Sequence, residues 1–554
     1  MSHFIRHVAL VLTLAFFGAA RADAAPSALQ KAGYSLLPAP RRVTLAGGNF
    51  RIDSTWRLQL DAPLAEDDVA VEALKEGLAE RHGITLAARN GDQAEIRLTV
   101  RAGAVEIGPA QDRDKDAIRS QAYRIELADR NVHITANAAT GLFYGVETLV
   151  QLITERGGAD KGHWLPAGQI TDWPDLELRQ IYWDDAHHLE RLDGLKHAIR
   201  QAAFYKINGF VLKLDGHFHY HSAPAVVEPQ ALTAGQLQEL TDYGLRYHVQ
   251  LIPYLDAPGH VSFILKHPEY AGLRAFPDSN YEFCTTNAAT YDLLFGMYHE
   301  LLEANKGVKY FYLSTDEPYY VGKADTASCN EGQRLKALGS PGKVLGEFIA
   351  KTAGYLHDHG RAVVFWGEYP LKSTDVPALP AYLINGETVD PQFDAAFKAR
   401  GIRQMFYTST QGEEKLFPDY AILPATRRIH PDPDQKPGPP RPPRVAEAMA
   451  TIQSGVTRGN ADLMGMMVAG WADAGLHPET FWLGYATIAS AGWNPRDCDS
   501  AEASAAFYRQ FYGTGGQEMA RVYELMSHQA QSWTDTWETE PSKSRKGIWG
   551  SSSE

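Results

Sequence analysis

The chain has 554 residues, 44% hydrophobic and 22% charged, a soluble globular composition with enough apolar material for two or three domains. Lys and Arg number 53 against 67 Asp and Glu, so the net charge of −14 opposes nucleic acid and anionic lipid as partners. Aromatic residues make up 11%, with 11 Trp and 26 Tyr, and such flat apolar faces with polar edges suit the packing of sugar rings.

At the start of the chain, Arg6 precedes an apolar run from Val8 to Gly18, broken only by Thr13. Ala20-Arg21-Ala22 or Ala22-Asp23-Ala24 then offers a small-residue cleavage site. The pattern predicts a secretory signal peptide over residues 1–24 and an exported product, periplasmic or secreted. The run is far short of the roughly 20 residues a membrane span needs, and no later run reaches that length. Cys284, Cys329 and Cys498 allow at most one intramolecular disulfide and exclude an all-cysteine zinc site. Cys284 and Cys329 are expected to pack rather than react.

Residues 30–170 read as a smaller α+β domain. Trp56–Leu60, Glu95–Val100, Ala122–Leu127 and Val132–Ala136 alternate like strands, while Val71–His82 and Gly141–Ile153 carry apolar residues at helical spacing. Gly157-Gly158 breaks the pattern.

From Leu178 short apolar strands alternate with longer helices. The strands are expected at Gln180–Trp183, Gly209–Leu214, Gln250–Leu255, Tyr310–Ser314, Ala362–Trp366, Ala381–Ile384, Gln404–Tyr407 and Met464–Gly470. Helices are expected at Gly194–Tyr205, Ala234–Tyr247, Ala288–Asn305, Val344–His359, Val445–Thr457 and Pro478–Ser490. Eight such strands predict an α/β fold, a (β/α)8 TIM barrel over residues 175–500. Prolines crowd Pro431–Pro443 into an irregular exposed loop, and residues 501–554 form a C-terminal tail, helical from Ala503 to Trp537.

A barrel places its chemistry at the C-terminal ends of its strands. There the sequence offers Asp215, Asp256, Asp316 with Glu317, Trp366 with Glu368, Tyr407, and Trp471 with Asp473; Arg179 lies at the first strand. Two adjacent acids in a low-dielectric pocket repel when both are ionised, which raises one pKa and keeps a proton near neutrality. Pro318 helps to end the strand, so both acids can reach one substrate. Around His217, His219 and His221 an extended strand would place three imidazoles on one face, a possible metal cradle, although a substrate-facing loop is the preferred reading. His187 and His188, beside Asp184 and Asp185, are read as supporting residues.

Asp316-Glu317 at the fourth strand, Pro253-Tyr254-Leu255-Asp256-Ala257-Pro258-Gly259-His260 at the third, Leu178-Arg179 and Trp471-Ala472-Asp473 together resemble glycoside hydrolase family 20, the β-N-acetylhexosaminidases. The preceding Leu37-Pro38-Ala39-Pro40 and Ala139-Thr140-Gly141-Leu142-Phe143-Tyr144-Gly145 resemble that family's accessory domain. The resemblance implies removal of terminal β-linked N-acetylglucosamine or N-acetylgalactosamine from glycosides or oligosaccharides. The substrate's own acetamido oxygen would attack, with no cofactor and no metal. It further implies Glu317 as acid and base, Asp316 orienting the acetamido group, Arg179 forking onto ring hydroxyls and Asp473 accepting from them. Trp471 would stack under the sugar, Trp366 and Tyr407 would hold the acetamido group, and Asp256 with His260 would support the acid. Asp215 joins the substrate-binding set. The family's His-x-Gly-Gly-Asp-Glu reads Tyr312-Leu313-Ser314-Thr315-Asp316-Glu317 here, and its second-strand pattern reads Leu212-Lys213-Leu214-Asp215-Gly216. Those departures keep two alternatives in view: a sugar-binding protein on a hydrolase barrel that has lost its activity, and a related barrel hydrolase for another sugar.

Overall fold

A computed structural model of the chain describes residues 26–88, 94–387, 391–410, 416–424, 439–473 and 475–539. The expected leader, positions 431–438 of the proline-rich stretch and the last residues of the chain lie outside the described residues.

The accessory domain is built on a seven-stranded mixed sheet. Its longest strands, Arg42–Ile52 and Gly162–Asp172, pair antiparallel, while Glu95–Val100 runs parallel to Asn131–Ala136. Two helices, Val69–His82 and Ala139–Leu152, pack on one another, and the second lies against the sheet. Glycines set the closeness of that approach. A Cβ at Gly145 would stand 2.7 Å from Ile134 Cγ2, and one at Gly141 would stand 2.5 Å from the carbonyl oxygen of Ala122.

Eight parallel strands close the barrel: Leu178–Asp184, Gly209–Lys213, Gln250–Asp256, Tyr310–Ser314, Ala362–Phe365, Ile384–Asn385, Arg403–Ser409 and Leu463–Gly470. Tyr182, Tyr254, Tyr310, Tyr312, Val364 and Met467 help fill the interior, so the barrel is a packed core with an open upper face. Local signals fix the surrounding helices. Thr233 and Gln236, for example, form a reciprocal capping box at the start of Ala234–Arg246. The sixth strand departs from the expected Ala381–Ile384: it is the two-residue Ile384–Asn385. Apolar Tyr382 belongs instead to the surface, stacked on His357 with ring centroids 3.9 Å apart.

The C-terminal helices Ser500–Tyr512 and Gly516–Thr539 pack together and join both domains. Arg509 donates to Thr154 at 2.7 Å on the accessory side, and Ser527 donates to the Pro418 carbonyl at 2.9 Å on the barrel side. Among the described residues no helix is long and apolar enough to cross a membrane.

Candidate active site

A pocket of about 780 Å³ opens at the C-terminal ends of the barrel strands. The fourth strand delivers its centre. Thr315 Oγ1 donates to the Trp366 carbonyl at 2.8 Å, which pins the strand end to the fifth strand. Glu317 then adopts a left-handed φ of +41° before Pro318. This backbone turn brings two sequence-adjacent carboxyls, Asp316 and Glu317, into one pocket.

Their environments differ. The Asp316 side chain is 22% exposed and that of Glu317 is 46% exposed. Burial, followed by a hydrogen bond to the Glu368 carboxyl, raises Asp316 well above the ordinary carboxylate range. Burial and Glu387 push Glu368 up to about 7, and burial and Asp316 push Glu387 to about 7 as well. Three carboxyls thus hold protons against one another. Glu317 shifts the opposite way because His260 bonds it. His260 Nε2 stands 3.5 Å from Glu317 and 3.7 Å from Asp316. Burial works against its charge, but contact with Glu317 and the field of Asp256 and Asp316 raise its proton affinity. Within the pair the carboxyl held up is therefore Asp316, while Glu317 favours its ionised form against a His260 that holds its proton more firmly than a free imidazole.

The third strand brings Asp256, which accepts from Tyr254 Oη at 2.9 Å and faces the Lys213 ammonium at 2.8 Å. Lys213 also lies 3.9 Å from Asp215. Burial opposes its charge, yet Asp215, Asp256 and Asp184 keep it firmly protonated. Asp215 is raised to about 6 by burial, with Asp256 and Asp184 adding to it against Lys213. On the far wall His187 Nδ1 meets Asp184 at 2.8 Å and Asp473 at 3.1 Å, and these contacts lift the imidazole to about 9 despite partial burial. With Nδ1 already engaged by both carboxylates, this cluster is an ion-paired wall. Among the described residues a second close group of metal-type side chains, Cys284, Cys329 and Glu331, contains a disulfide between its cysteines.

Of the residues expected from sequence, Asp215, Asp256, His260, Asp316, Glu317, Tyr407, Trp471 and Asp473 line this pocket. Trp471 Nε1 donates to Tyr407 Oη at 2.7 Å, and its ring lies 4.5 Å from that of Tyr182. Trp366 stands behind Tyr407, centroids 4.6 Å apart, and its indole N–H has no hydrogen-bond partner among the described residues. Arg179 is elsewhere, and its expected role on ring hydroxyls is corrected. It is the second residue of its strand and so lies at the opposite end of the barrel, 1% exposed. Its guanidinium donates to the carbonyls of Lys206, Leu176 and Glu177, to Gln121 Oε1 at 2.7 Å and to Tyr144 Oη at 3.4 Å.

The histidine-rich segment separates rather than converges. His217 lines the pocket with Nδ1 2.7 Å from the Asp185 carbonyl, whereas His221 pairs with Glu300 at 2.9 Å and His219 faces solvent. Cys284 and Cys329 are bonded to each other, a correction to the expectation that they merely pack. Sequence alone points to neither Lys213 nor Glu387, and it gives His187 only a supporting role. The signal for Lys213 was its position directly before Leu214-Asp215 at a strand end.

Comparison with known proteins bears on this geometry. Residues 177–389 match the model for glycosyl hydrolase family 20, catalytic domain, and residues 33–173 match that for glycosyl hydrolase family 20, domain 2. The chain is 25% identical over 286 residues to a beta-hexosaminidase of Akkermansia muciniphila, covering 46% of this chain and 57% of that protein. It is 28% identical over 241 residues to a beta-N-acetylhexosaminidase of Cellulomonas fimi, covering 40% of this chain and 46% of that protein. The matched part thus spans about half the length of these curated relatives. Among solved structures, the fold is similar to Flavobacterium johnsoniae chitobiase, with TM-score 0.66, 18% identity, and coverage of 90% of this chain and 74% of that one. It is likewise similar to Streptomyces plicatus N-acetyl-beta-hexosaminidase, with TM-score 0.62, 20% identity, and coverage of 89% and 97%. With both domains matched in order and an acid pair opening at the end of the fourth barrel strand, the chain belongs to glycoside hydrolase family 20.

Proposed function

We propose that the protein is an exported β-N-acetylhexosaminidase. It removes terminal β-linked N-acetylglucosamine or N-acetylgalactosamine, with the substrate's acetamido oxygen as nucleophile. The observation that carries this reading is the contrast within the acid pair. Asp316 sits among Glu368 and Glu387, where burial, with the neighbouring carboxyls adding to it, raises proton affinity; a positive charge developing nearby would favour the ionised form. An oxazolinium ion formed from the acetamido group supplies such a charge. Glu317, which His260 draws below the ordinary carboxylate range, is readied as the base towards water, and as the acid it would take a proton by way of His260 and pass it to the leaving oxygen from its open position. Tyr407 and Trp471, joined by their hydrogen bond, offer a flat wall and a phenolic donor for the sugar and its amide. Export is supported by the leader pattern and by a disulfide, a bond favoured in oxidising compartments.

The test is hydrolysis of nitrophenyl N-acetylglucosaminide, N-acetylgalactosaminide and plain glucoside by one preparation. Intramolecular attack lowers barriers by about 7 to 11 kcal/mol, so the glucoside is expected to be inert. Comparable kcat on the glucoside overturns the acetamido mechanism; inactivity on all three, with N-acetylglucosamine still bound, leaves a sugar-binding protein. Glu317→Gln is expected to lower kcat by about 10² to 10⁴ while substrate affinity survives, because the amide keeps the shape and loses the proton.

A further inference from the structure

Glu368 follows Trp366 just past the end of the fifth strand, and the acid pair alone leaves it without a task. The fourth, fifth and sixth strands each place a carboxyl just beyond their ends, and Asp316, Glu368 and Glu387 stand in a row. Bonds between the strand ends fix that row. Thr315 Oγ1 accepts from the Trp366 N–H at 3.1 Å as well as donating to the Trp366 carbonyl, which sets Glu368 beside Asp316. Asn385 Oδ1 accepts from the backbone N–H of Gly367 at 3.0 Å and from that of Glu387 at 3.2 Å, which sets Glu387 beside Glu368. The carboxyl of Asp316 is hydrogen-bonded to that of Glu368, and Glu368 to that of Glu387. Glu368 Oε1 also lies 3.4 Å from the backbone nitrogen of Glu317. Among the described residues the side-chain cation that pairs with the row is His260, 3.7 Å from Asp316. Two carboxyls bond one another only through a proton between them, so three joined by two bonds hold two protons and one negative charge. The fields of Asp256 and Glu317 oppose a second negative charge there, and His260 favours keeping the first.

We propose that Glu368 and Glu387 are positioning residues that form, with Asp316, a proton relay: it brings one negative charge to Asp316 as the acetamido-derived cation forms and withdraws it afterwards. The inference rests on the reading of Asp316 as the carboxyl that meets the acetamido group. In the forward step the Asp316 O–H bond breaks and its proton joins Glu368. Glu368 releases its own proton from its other oxygen to Glu387. Each bonding pair stays with the oxygen that loses its proton, and no proton leaves the row. The negative charge that lay on Glu387 then lies on Asp316, beside the cation. Hydrolysis of the intermediate removes the cation, and both protons return. An Asp316 that is neutral at rest admits an uncharged sugar without a bare anion in a buried site, and the anion arises only where positive charge develops.

Kinetics of the full-length protein on dinitrophenyl N-acetylglucosaminide provide the test, because that leaving group departs without a proton from Glu317 and leaves the relay as the proton motion of the step. Deuterated water is expected to slow wild-type kcat/KM. Glu368→Gln keeps the shape and accepts from Asp316 but cannot pass a proton on. It should lower kcat by about tenfold or more, bring the isotope effect to unity and keep the affinity for N-acetylglucosamine. Glu387→Gln should lower kcat less and keep an isotope effect, because Asp316 and Glu368 still exchange one proton. An isotope effect of unity in the wild type, or an undiminished one in Glu368→Gln, overturns the relay. So does a fall in kcat in Glu368→Gln matched by lost N-acetylglucosamine binding, the mark of a merely structural residue. Should a variant fail to fold, the wild-type isotope effect decides. If the wild type requires the acetamido group yet shows no isotope effect, the relay fails alone; comparable turnover of plain dinitrophenyl glucoside removes the acetamido reading and the relay with it.

Discussion

Lys213 holds an ammonium between Asp256 and Asp215 in the floor of the pocket, with Asp184 also within electrostatic reach. Without it, the fields of Asp256 and Asp184 on the buried Asp215 would go unopposed and raise its proton affinity further, and His260 would lose a cation that depresses its own. Lys213→Met is therefore expected to move both limbs of the kcat/KM profile to higher pH, by about one unit, and Lys213→Arg to restore much of the original profile. Superimposable profiles would remove Lys213 from any role in proton balance. At this scale the sequence was readable where chemistry and position coincided: Asp316-Glu317 follows a clear strand and precedes a proline. Arg179 shows where it was not. It stands five positions before Asp184, about 16 Å of extended chain, so its nearness to the right strand hides its place at the wrong end. His187, three residues beyond the strand, carries its charge into the pocket because the chain turns there, and no local pattern announced that turn.

Among elements, the loops after the third and fourth strands carry most of the acid chemistry, and the Cys284–Cys329 bond ties them together across 45 residues. Chain-entropy reasoning assigns a loop of that length about 4 kcal/mol. Cys284→Ser with Cys329→Ser is expected to lower the unfolding free energy by an amount of that order in urea melts. Activity should also fall, because Tyr281 and Tyr319 lean on Glu317 from those same loops. An unchanged midpoint would place the bond outside the stability of the fold. Cysteine counting allowed this bond without naming its partners, because pairing depends on where two distant loops meet. Strands were legible where alternation or an apolar run was strong, as at Glu95–Val100 and Tyr310–Ser314, whose boundaries match the structure. The sixth strand failed because Ala381-Tyr382-Leu383 is apolar for a different reason: Tyr382 stacks on a helix end at the surface.

For the whole molecule, the seam between domains is polar as well as apolar. His248 of the barrel meets Thr140 of the accessory domain at 3.1 Å and packs against Phe143, and burial lowers its pKa to about 4. His82, bonded to the Val150 carbonyl, is lowered to about 4 by the same cause. An unfolded histidine titrates near 6.5, so between pH 6.5 and 4 the unfolded chain binds more protons and stability is lost as pH falls. Each residue contributes on the order of 3 kcal/mol across that window. Thermal melts at pH 7 and pH 4.5 should show a large drop, and His248→Gln should make it smaller. A drop of the same size in that variant would locate the acid sensitivity elsewhere.

The buried guanidinium beneath the barrel has a consequence for modularity. Two of the bonds that satisfy Arg179 come from Gln121 and Tyr144, and nearby Lys206 and Trp493 both lean on Asp172, all outside the barrel's own strands. A fragment beginning at residue 175 would lose the Gln121, Tyr144 and Asp172 partners and open the apolar floor around Arg179 and Lys206 to water. The two family domains are thus joined as one thermodynamic body despite their separate sequence signatures. Scanning calorimetry of the intact chain should give a single endotherm whose calorimetric and van't Hoff enthalpies agree, and the isolated barrel should show no cooperative endotherm.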